Sequence, residues 1–223
     1  MARTAVIVIG GGPPDRRVRN HLPDDATVIA ADSGFDHAVS LGLPVELLVG
    51  DLDSISAEGR EQAISAGVTI LRDRPDKDFT DTELGIEAAL ARGAHHIIVV
   101  TGGPDPGDSR LDHELGTLLA VARPGLSAVE VEAWWGPTHL RVAHGPADLE
   151  LTAPAGSLLS LLPVHGPAEG VTTTGLRFPL RDETLPAGSS RGVSNELTTT
   201  SASVALVAGT LLIVQPELLG GLQ

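Results

Sequence analysis

The stretch Leu47-Leu48-Val49-Gly50-Asp51-Leu52-Asp53-Ser54 joins a short apolar run to a glycine and two acidic residues. The apolar run is typical of a strand that is buried on both faces, as in a parallel sheet. Residues two apart on an extended chain point the same way, so we expect Asp51 and Asp53 to face one site and Leu52 to point into the core. The stretch therefore predicts an acidic site at the carboxyl end of a buried strand.

The same pattern recurs through the first 136 residues. We predict strands at Ala5–Ile9, Thr27–Ala31, Leu47–Val49, Val68–Leu71, His96–Val100 and Val129–Trp134. Between them, the capping box Thr80-Asp81-Thr82-Glu83 predicts the start of a helix that ends at Gly93, and a second helix is expected from Leu111 to Ala122. This alternation predicts an α/β domain with a mostly parallel sheet and flanking helices.

The pattern changes after Gly136-Pro137, beyond which no segment is convincingly helical. Short apolar runs separated by Gly, Pro, Asp and Asn predict antiparallel strands in an all-β sandwich. These runs are His139–Val142, Asp148–Leu151, Leu158–Leu162, Thr198–Val204 and Thr210–Val214. We therefore place a domain boundary near Gly136, with one domain at 1–136 and another at 137–223.

Composition excludes several classes of protein. The 223 residues contain no cysteine, which excludes a disulfide scaffold and a thiol nucleophile. The formal net charge of −14 disfavours binding to nucleic acid or to an anionic membrane. The most apolar run, Val204 to Val214, is too short to span a bilayer, and the apolar N-terminus is better explained by a first strand than by a signal peptide. We expect a soluble, cytoplasmic protein.

Acidic residues follow several of the predicted strands. Ligands of open α/β sheets bind at the carboxyl ends of the strands, so these side chains are expected to converge. They are Asp32, Asp51, Asp53, Asp78, Asp81 and Asp112. Any one of them is explained equally well as a helix cap or turn former, but the set as a whole indicates a site. Carboxylate oxygens suit Mg²⁺, which proteins bind through one or two carboxylates together with substrate phosphates.

The basic residues near these acids point to a phosphate ligand. Lys77 is the chain's only lysine and lies among acids, where a compact mobile charge suits a moving phosphate; a solvated surface charge is the alternative. Arg110 can hold a phosphate in a bidentate manner. Thr80 is expected to be a helix N-cap, and His113 is equally explained as structural or catalytic.

Two segments of the second half are rich in hydroxyls, amides and glycines. Thr172–Phe178 and Gly188–Asn195 are typical of loops that hydrogen-bond a small polar heterocycle, and Phe178 offers an aromatic face for stacking. Ordinary turns with one core phenylalanine are the alternative.

Taken in order, these motifs resemble those of the thiamine pyrophosphokinase family over nearly the whole chain. The matching segments are Ala31–Gly34, Gly50–Ser54, Asp76–Glu83, Arg110–His113, Val171–Leu176 and Gly188–Glu196. The chain departs from the family pattern where Asp108 and Ser109 replace glycines, where Thr117 replaces an asparagine and where Ser33 replaces a glycine.

The resemblance implies a nucleotide-binding α/β domain at 1–136 and a thiamine-binding β-sandwich at 137–223. It implies a Mg²⁺-dependent reaction of ATP with thiamine that gives thiamine diphosphate and AMP, in a homodimer whose site is shared between subunits. The catalytic residues would be Asp51, Asp53, Lys77, Asp78, Asp81 and Asp112, of which Asp51, Asp53, Asp78 and Asp81 would bind the metal. ATP would contact Asp32, Ser54, Thr80, Arg110 and His113, and thiamine would contact Phe178, Ser190, Ser194 and Asn195.

Two alternatives remain at this stage. The first is a pyrophosphokinase for another heterocyclic alcohol, such as a hydroxymethylpterin, because such enzymes share the acidic motifs. The second is a catalytically silent module that binds a nucleotide or thiamine. The thiamine-like segments of the second half favour thiamine, and the intact acidic motifs favour catalysis.

Overall fold

A computed structural model describes residues 3–72, 80–105 and 110–219 of the chain. The chain divides into two compact units, the first made of Met1–Ala120 with Val129–Gly136 and the second of Val121–Ala128 with Pro137–Gln223. The short segment Val121–Ala128 thus groups with the second unit, and a domain boundary at Gly136 itself stays a prediction.

The first unit contains a parallel sheet, as the apolar runs predict. Its strands are β1 (Arg3–Val8), β2 (Thr27–Ala31), β3 (Val45–Gly50), β4 (Thr69–Arg72), β5 (Ala94–Thr101) and β6 (Glu130–Trp135). They lie side by side in the order β4-β3-β2-β1-β5-β6, and every pair is parallel. The middle strands are almost fully buried, which is why they consist of Val, Ile, Ala and Leu.

Helices connect these strands. They are α1 (Gly34–Ser40), α2 (Ala57–Ser65), α3 (Asp81–Ala91) and α4 (Leu111–Val121), with short 3-10 turns at Arg16–His21 and Pro124–Leu126. The capping box at the start of α3 is present, since the Glu83 N–H donates to the Thr80 hydroxyl and the Glu83 carboxylate accepts from the Thr80 N–H. Helix α1 is short and α2 is mostly polar, so neither carries a local signal as clear as the capping box of α3 or the apolar content of α4.

The strand order reverses at β1, which has β2 on one side and β5 on the other. The loops after these two strands are bound closely together. The Thr101 hydroxyl donates to the Gly10 carbonyl over 2.9 Å, and the Gly12 N–H donates to the Gly103 carbonyl over 2.8 Å. A Cβ on Gly11 would lie 2.7 Å from the Gly103 oxygen. The glycines after β1 are thus required by backbone packing at the point where open α/β sheets bind their ligands.

The second unit is an antiparallel β structure. Its strands are β7 (Thr138–His144), β8 (Ala147–Thr152), β9 (Leu158–Thr174), β10 (Glu183–Leu185), β11 (Asn195–Glu196), β12 (Ser201–Leu206) and β13 (Ala208–Gln215). They lie in the order β7-β13-β9-β12-β8, and β10 and β11 pair with β9. A core of aliphatic side chains, including Leu159, Val171, Val204 and Leu211, is fully buried within this unit.

Strand β9 corrects one expectation. The sequence predicts a strand that ends at Leu162 and a loop at Thr172–Phe178, yet β9 continues to Thr174, and Thr173 pairs with Val204 of β12. Glycines and Pro163 within β9 conceal this continuity from a local pattern. The hydroxyls of Thr172 and Thr173 accept hydrogen bonds from the N–H groups of Asp182 and Leu180, so they stabilise the fold of this segment.

None of the helices in the described part of the chain is both long enough and apolar enough to cross a membrane.

Candidate active site

Asp32, Asp51 and Asp53 meet at the carboxyl edge of the parallel sheet. Each offers a carboxylate oxygen, and these oxygens all lie within 4.8 Å of one another. Asp32 follows β2, and the other two follow β3, which is the neighbouring strand. The convergence predicted from the sequence is therefore present for these residues.

The segment at the end of β3 fixes the position of the Asp32 side chain. Its Oδ1 accepts a hydrogen bond from the Leu52 N–H over 2.9 Å, and its side chain is buried. A Cβ at Gly50 would lie only 2.1 Å from the same oxygen, and Gly50 has φ of +128°. Glycine is therefore required immediately before Asp51, because any side chain there would displace the Asp32 carboxylate.

The segment after Gly50 is a tight turn, which corrects the expected extended geometry. Leu52 has a left-handed φ of 66°, and the Asp53 N–H donates to Asp51 Oδ1 over 3.1 Å. Leu52 is 1% exposed, so the prediction that it points into the core is confirmed. The two carboxylates face the same site because the chain turns around the buried Leu52, and not because of strand alternation.

Neighbouring helices support this turn. Asp36 of α1 accepts hydrogen bonds from the Ser56 N–H over 2.9 Å and from the Ser56 hydroxyl over 2.7 Å. The Arg60 guanidinium of α2 donates to the Leu52 carbonyl. The Ser33 N–H donates to the Ser54 hydroxyl over 3.3 Å. The turn from Asp51 to Ser56 is thus bonded to elements on both sides.

Burial raises the pKa of Asp32 to about 7, and its hydrogen bond with Asp81 and the charges of Asp81 and Asp51 contribute in the same direction. The N–H of Leu52 opposes this shift because it stabilises the ionised form. Asp81 is the first residue of α3, and the N-cap hydroxyl of Thr80 orients this helix end. Without a cation and below about pH 7, therefore, Asp32 holds a proton that limits the repulsion between the carboxylates.

A cleft of about 1010 Å³ opens above these residues. Its lining includes the predicted Asp32, Asp51, Asp53, Ser54, Thr80, Asp81, Arg110 and His113. It also includes residues that were not predicted, namely Asp36, His37, Thr101, Gly103, Glu114 and Trp135. Among the described residues that line the cleft, acids outnumber Arg110 and the histidines. An anionic ligand therefore needs cations to bind there.

Arg110 and Asp112 form an exposed ion pair at the start of α4. The guanidinium donates to both carboxylate oxygens, over 3.0 Å and 2.7 Å, and lowers the pKa of Asp112 to about 2. Asp112 does not belong to the group formed by Asp32, Asp51 and Asp53. Lys77 and Asp78 lie outside the described residues, so their predicted roles stay predictions.

Comparison with known proteins identifies the family. The model of the thiamin pyrophosphokinase catalytic domain matches residues 18–132, which is more than half of the chain, and that of the vitamin B1 binding domain matches residues 147–211. The chain belongs to the thiamin pyrophosphokinase family.

Named relatives agree with this family. The thiamine pyrophosphokinase of Bacillus subtilis (strain 168) is 24% identical over 216 residues, which cover 93% of this chain and 96% of that protein. The crystal structure of the Bacillus subtilis enzyme superposes with a TM-score of 0.82 at 21% identity, over 96% of this chain and 98% of that one. The crystal structure of a family protein from Enterococcus faecalis superposes with a TM-score of 0.77 at 24% identity, over 96% of this chain and 98% of that one. The last two likenesses establish the fold.

The predicted thiamine-binding residues of this family member lie in the second unit, around β11. Phe178 is 62% exposed, and the Arg177 guanidinium lies 5.6 Å from its ring centroid. The buried Asn195 accepts from the Phe178 N–H over 3.0 Å and donates to the Phe178 carbonyl over 2.8 Å. Asn195 thus positions the backbone of Phe178, while the Ser194 N–H donates to Ser160. Ser190 accepts from the Val193 N–H through its backbone carbonyl.

The acidic group has the donor chemistry that a magnesium ion requires. It offers hard carboxylate oxygens from three residues, close enough to share one ion, next to a cleft that has room for phosphate oxygens and water. The residues present therefore fit Mg²⁺.

Proposed function

We propose that the protein transfers the pyrophosphoryl group of ATP to the primary hydroxyl of thiamine and thereby forms thiamine diphosphate and AMP. The observation that carries the proposal is the meeting of Asp32, Asp51 and Asp53 in a cleft of the unit that matches the family's catalytic domain. In the reaction, the thiamine hydroxyl oxygen forms a bond to the β-phosphorus. The bond from that phosphorus to the α,β-bridging oxygen breaks, and AMP leaves with the bridging oxygen.

The proposed role of the protein is to position the reactants and to neutralise charge. Asp51, Asp53 and Asp32 would hold Mg²⁺, with Asp81 and Asp78 close to it. When bound, the ion neutralises phosphate charge. Arg110 and Lys77 would bind phosphate oxygens. To do so, Arg110 must release Asp112, to which it is bonded in this structure, and bind the nucleotide. A carboxylate of the group accepts the hydroxyl proton.

Thiamine is proposed to bind against Phe178, whose exposed ring suits both the cationic thiazolium and the flat pyrimidine. Ser190, Ser194 and Asn195 support or contact it. We further propose a homodimer in which the site is shared between subunits, and a cytoplasmic location for the enzyme.

AMP formation from ATP tests the function directly. We expect AMP and thiamine diphosphate in equal amounts with thiamine and Mg²⁺, and little product with a hydroxymethylpterin. Preferential use of the pterin alcohol would reassign the substrate, and ATP binding without any AMP release would indicate a silent binding module.

A further inference from the structure

Trp135 lies in the cleft at a distance from the acidic group. It ends β6, pairs in register with Thr101 at the end of β5 and is half-buried. Strand β6 is three strands away from β2, which Asp32 directly follows, and that separation is about 14 Å at the usual spacing of strands. The distance is comparable with the length of an extended nucleoside triphosphate from its base to its phosphates.

The indole is positioned by a glycine. A Cβ on Gly103 would lie 2.9 Å from Cδ1 and 3.0 Å from Nε1 of Trp135, so the ring edge packs directly against the Gly103 backbone. The Gly103 N–H donates a hydrogen bond to the Thr101 hydroxyl, and the Gly103 carbonyl accepts one from the Gly12 N–H. A ring that is fixed at one edge and lines an open cleft is preorganised for stacking, since little side-chain freedom remains to be lost.

The acidic group and the immediate neighbours of Trp135 differ in charge. The carboxylates of Asp32, Asp51 and Asp53 require cations and therefore suit the metal-bound phosphates. Thr101 and Gly103, the neighbours of Trp135, are uncharged and suit a neutral flat ring. The adjacent Trp134 is 3% exposed and packs against His21 with ring centroids 4.7 Å apart, so it is a core residue.

We infer that Trp135 forms the stacking face of a nucleobase subsite, which holds the base of the nucleotide while its phosphates reach the acidic group. Neither family domain match includes Trp135, since one ends at residue 132 and the other begins at residue 147. The inference rests on the proposed function insofar as the nucleotide is the ATP of that reaction.

Calorimetry with two ligands that differ only in the nucleoside tests the inference. Trp135→Ala should weaken binding of Mg·ATP by about 5- to 100-fold, which is the usual effect of removing one base–aromatic stack. It should leave the affinities for magnesium-bound inorganic triphosphate and for thiamine within about 2-fold of the wild-type values. Trp135→Phe should restore most of the ATP affinity. If Trp135→Ala does not fold, the fluorescence of Trp135 tests the inference in its place.

Fluorescence supplies an independent measurement, because the chain has only two tryptophans. In Trp134→Phe, AMP should quench the emission of Trp135, whereas inorganic triphosphate and thiamine should not. Unchanged ATP affinity in Trp135→Ala would overturn the inference. An equal loss of affinity for ATP and for inorganic triphosphate in this variant would also overturn it, as would a loss of affinity for thiamine alone. If the wild-type protein released no AMP with thiamine, yet AMP quenched the emission of Trp135 in Trp134→Phe, the proposed function would fail and the nucleobase subsite would stand.

Discussion

The proposed metal site depends on both Asp51 and Asp53. Asp51→Asn or Asp53→Asn should lower kcat by about 100-fold or more, because a neutral amide replaces a charged ligand of the metal. The assay is AMP release at saturating Mg²⁺, with circular dichroism as a check on folding. Asp25→Asn is the matched control, since Asp25 is an exposed acid outside the cleft lining. Wild-type turnover in both site variants would contradict the metal assignment.

Asp32 should make the stability of the metal-free protein depend on pH. Its folded pKa of about 7 lies above the value of about 3.9 expected in an unfolded chain. The folded state therefore holds a proton that the unfolded chain releases, and the stability this contributes is complete below about pH 4 and is lost as pH rises through 7.

Urea denaturation without Mg²⁺ at about pH 5 and pH 7.5 measures this effect. The free energy of unfolding should fall less between these two pH values in Asp32→Asn than in the wild type, because an asparagine side chain has no such proton to lose. An identical fall in the two proteins would show that Asp32 titrates normally.

Gly50 is required by the site itself. Gly50→Ala should destabilise the protein by about 1–3 kcal/mol and weaken Mn²⁺ binding, because the new methyl group would collide with the Asp32 carboxylate, 2.1 Å away. Gly42→Ala is the control, since Gly42 also has a positive φ but has nothing within 4 Å of the added atom. Urea denaturation and paramagnetic resonance of Mn²⁺ measure the two effects. If Gly50→Ala and Gly42→Ala lowered the free energy of unfolding and the Mn²⁺ affinity equally, backbone strain alone would explain both effects.

At the scale of elements, the bond from α1 to the start of α2 should hold the turn that carries Asp51 and Asp53. Asp36→Ala removes two hydrogen bonds to Ser56, so the free energy of unfolding should fall by about 1–3 kcal/mol and Mn²⁺ should bind several-fold more weakly. Asp36→Asn, which keeps one acceptor, should lie between Asp36→Ala and the wild type in both measurements.

A control on α2 separates this bond from the general loss of a carboxylate. Glu61 is exposed on the same helix, so Glu61→Ala should leave Mn²⁺ affinity unchanged. If Asp36→Ala lowered stability but kept the Mn²⁺ affinity, the bond would support the fold alone and not the metal site.

At the scale of the whole molecule, Phe178→Ala should weaken thiamine binding by several-fold to about 30-fold at nearly constant ATP affinity, because an exposed aromatic face is lost. Val207→Ala, which truncates another exposed apolar residue of the second unit, is the control for calorimetry. Thiamine affinity unchanged by the loss of the ring would assign Phe178 a role outside the thiamine site.

The proposed shared site also predicts complementation. Subunits that carry Phe178→Ala and subunits that carry Asp51→Asn should each be impaired, and a mixture allowed to exchange should regain part of the activity. A mixed dimer that is verified by mass spectrometry and stays inactive would argue against a site built from two subunits.

The sequence by itself determined the elements whose signals are local. Thr80 and Glu83 bond each other within one helical turn, so the start of α3 was predictable from their spacing. The buried strands were predictable because burial on both faces leaves continuous aliphatic runs, and the order of the acidic motifs identified the family, which the domain matches confirm.

The tertiary structure alone decided the features that depend on residues far apart in the chain. Leu52 adopts a left-handed turn because Asp32, twenty residues earlier, accepts its N–H and Arg60 binds its carbonyl. Trp135 reaches the cleft because β6 pairs with β5, a partner that no local pattern specifies. Hydrogen bonds and packing between distant segments form only once strand order is set, so their consequences for the site cannot be read from periodicity or spacing.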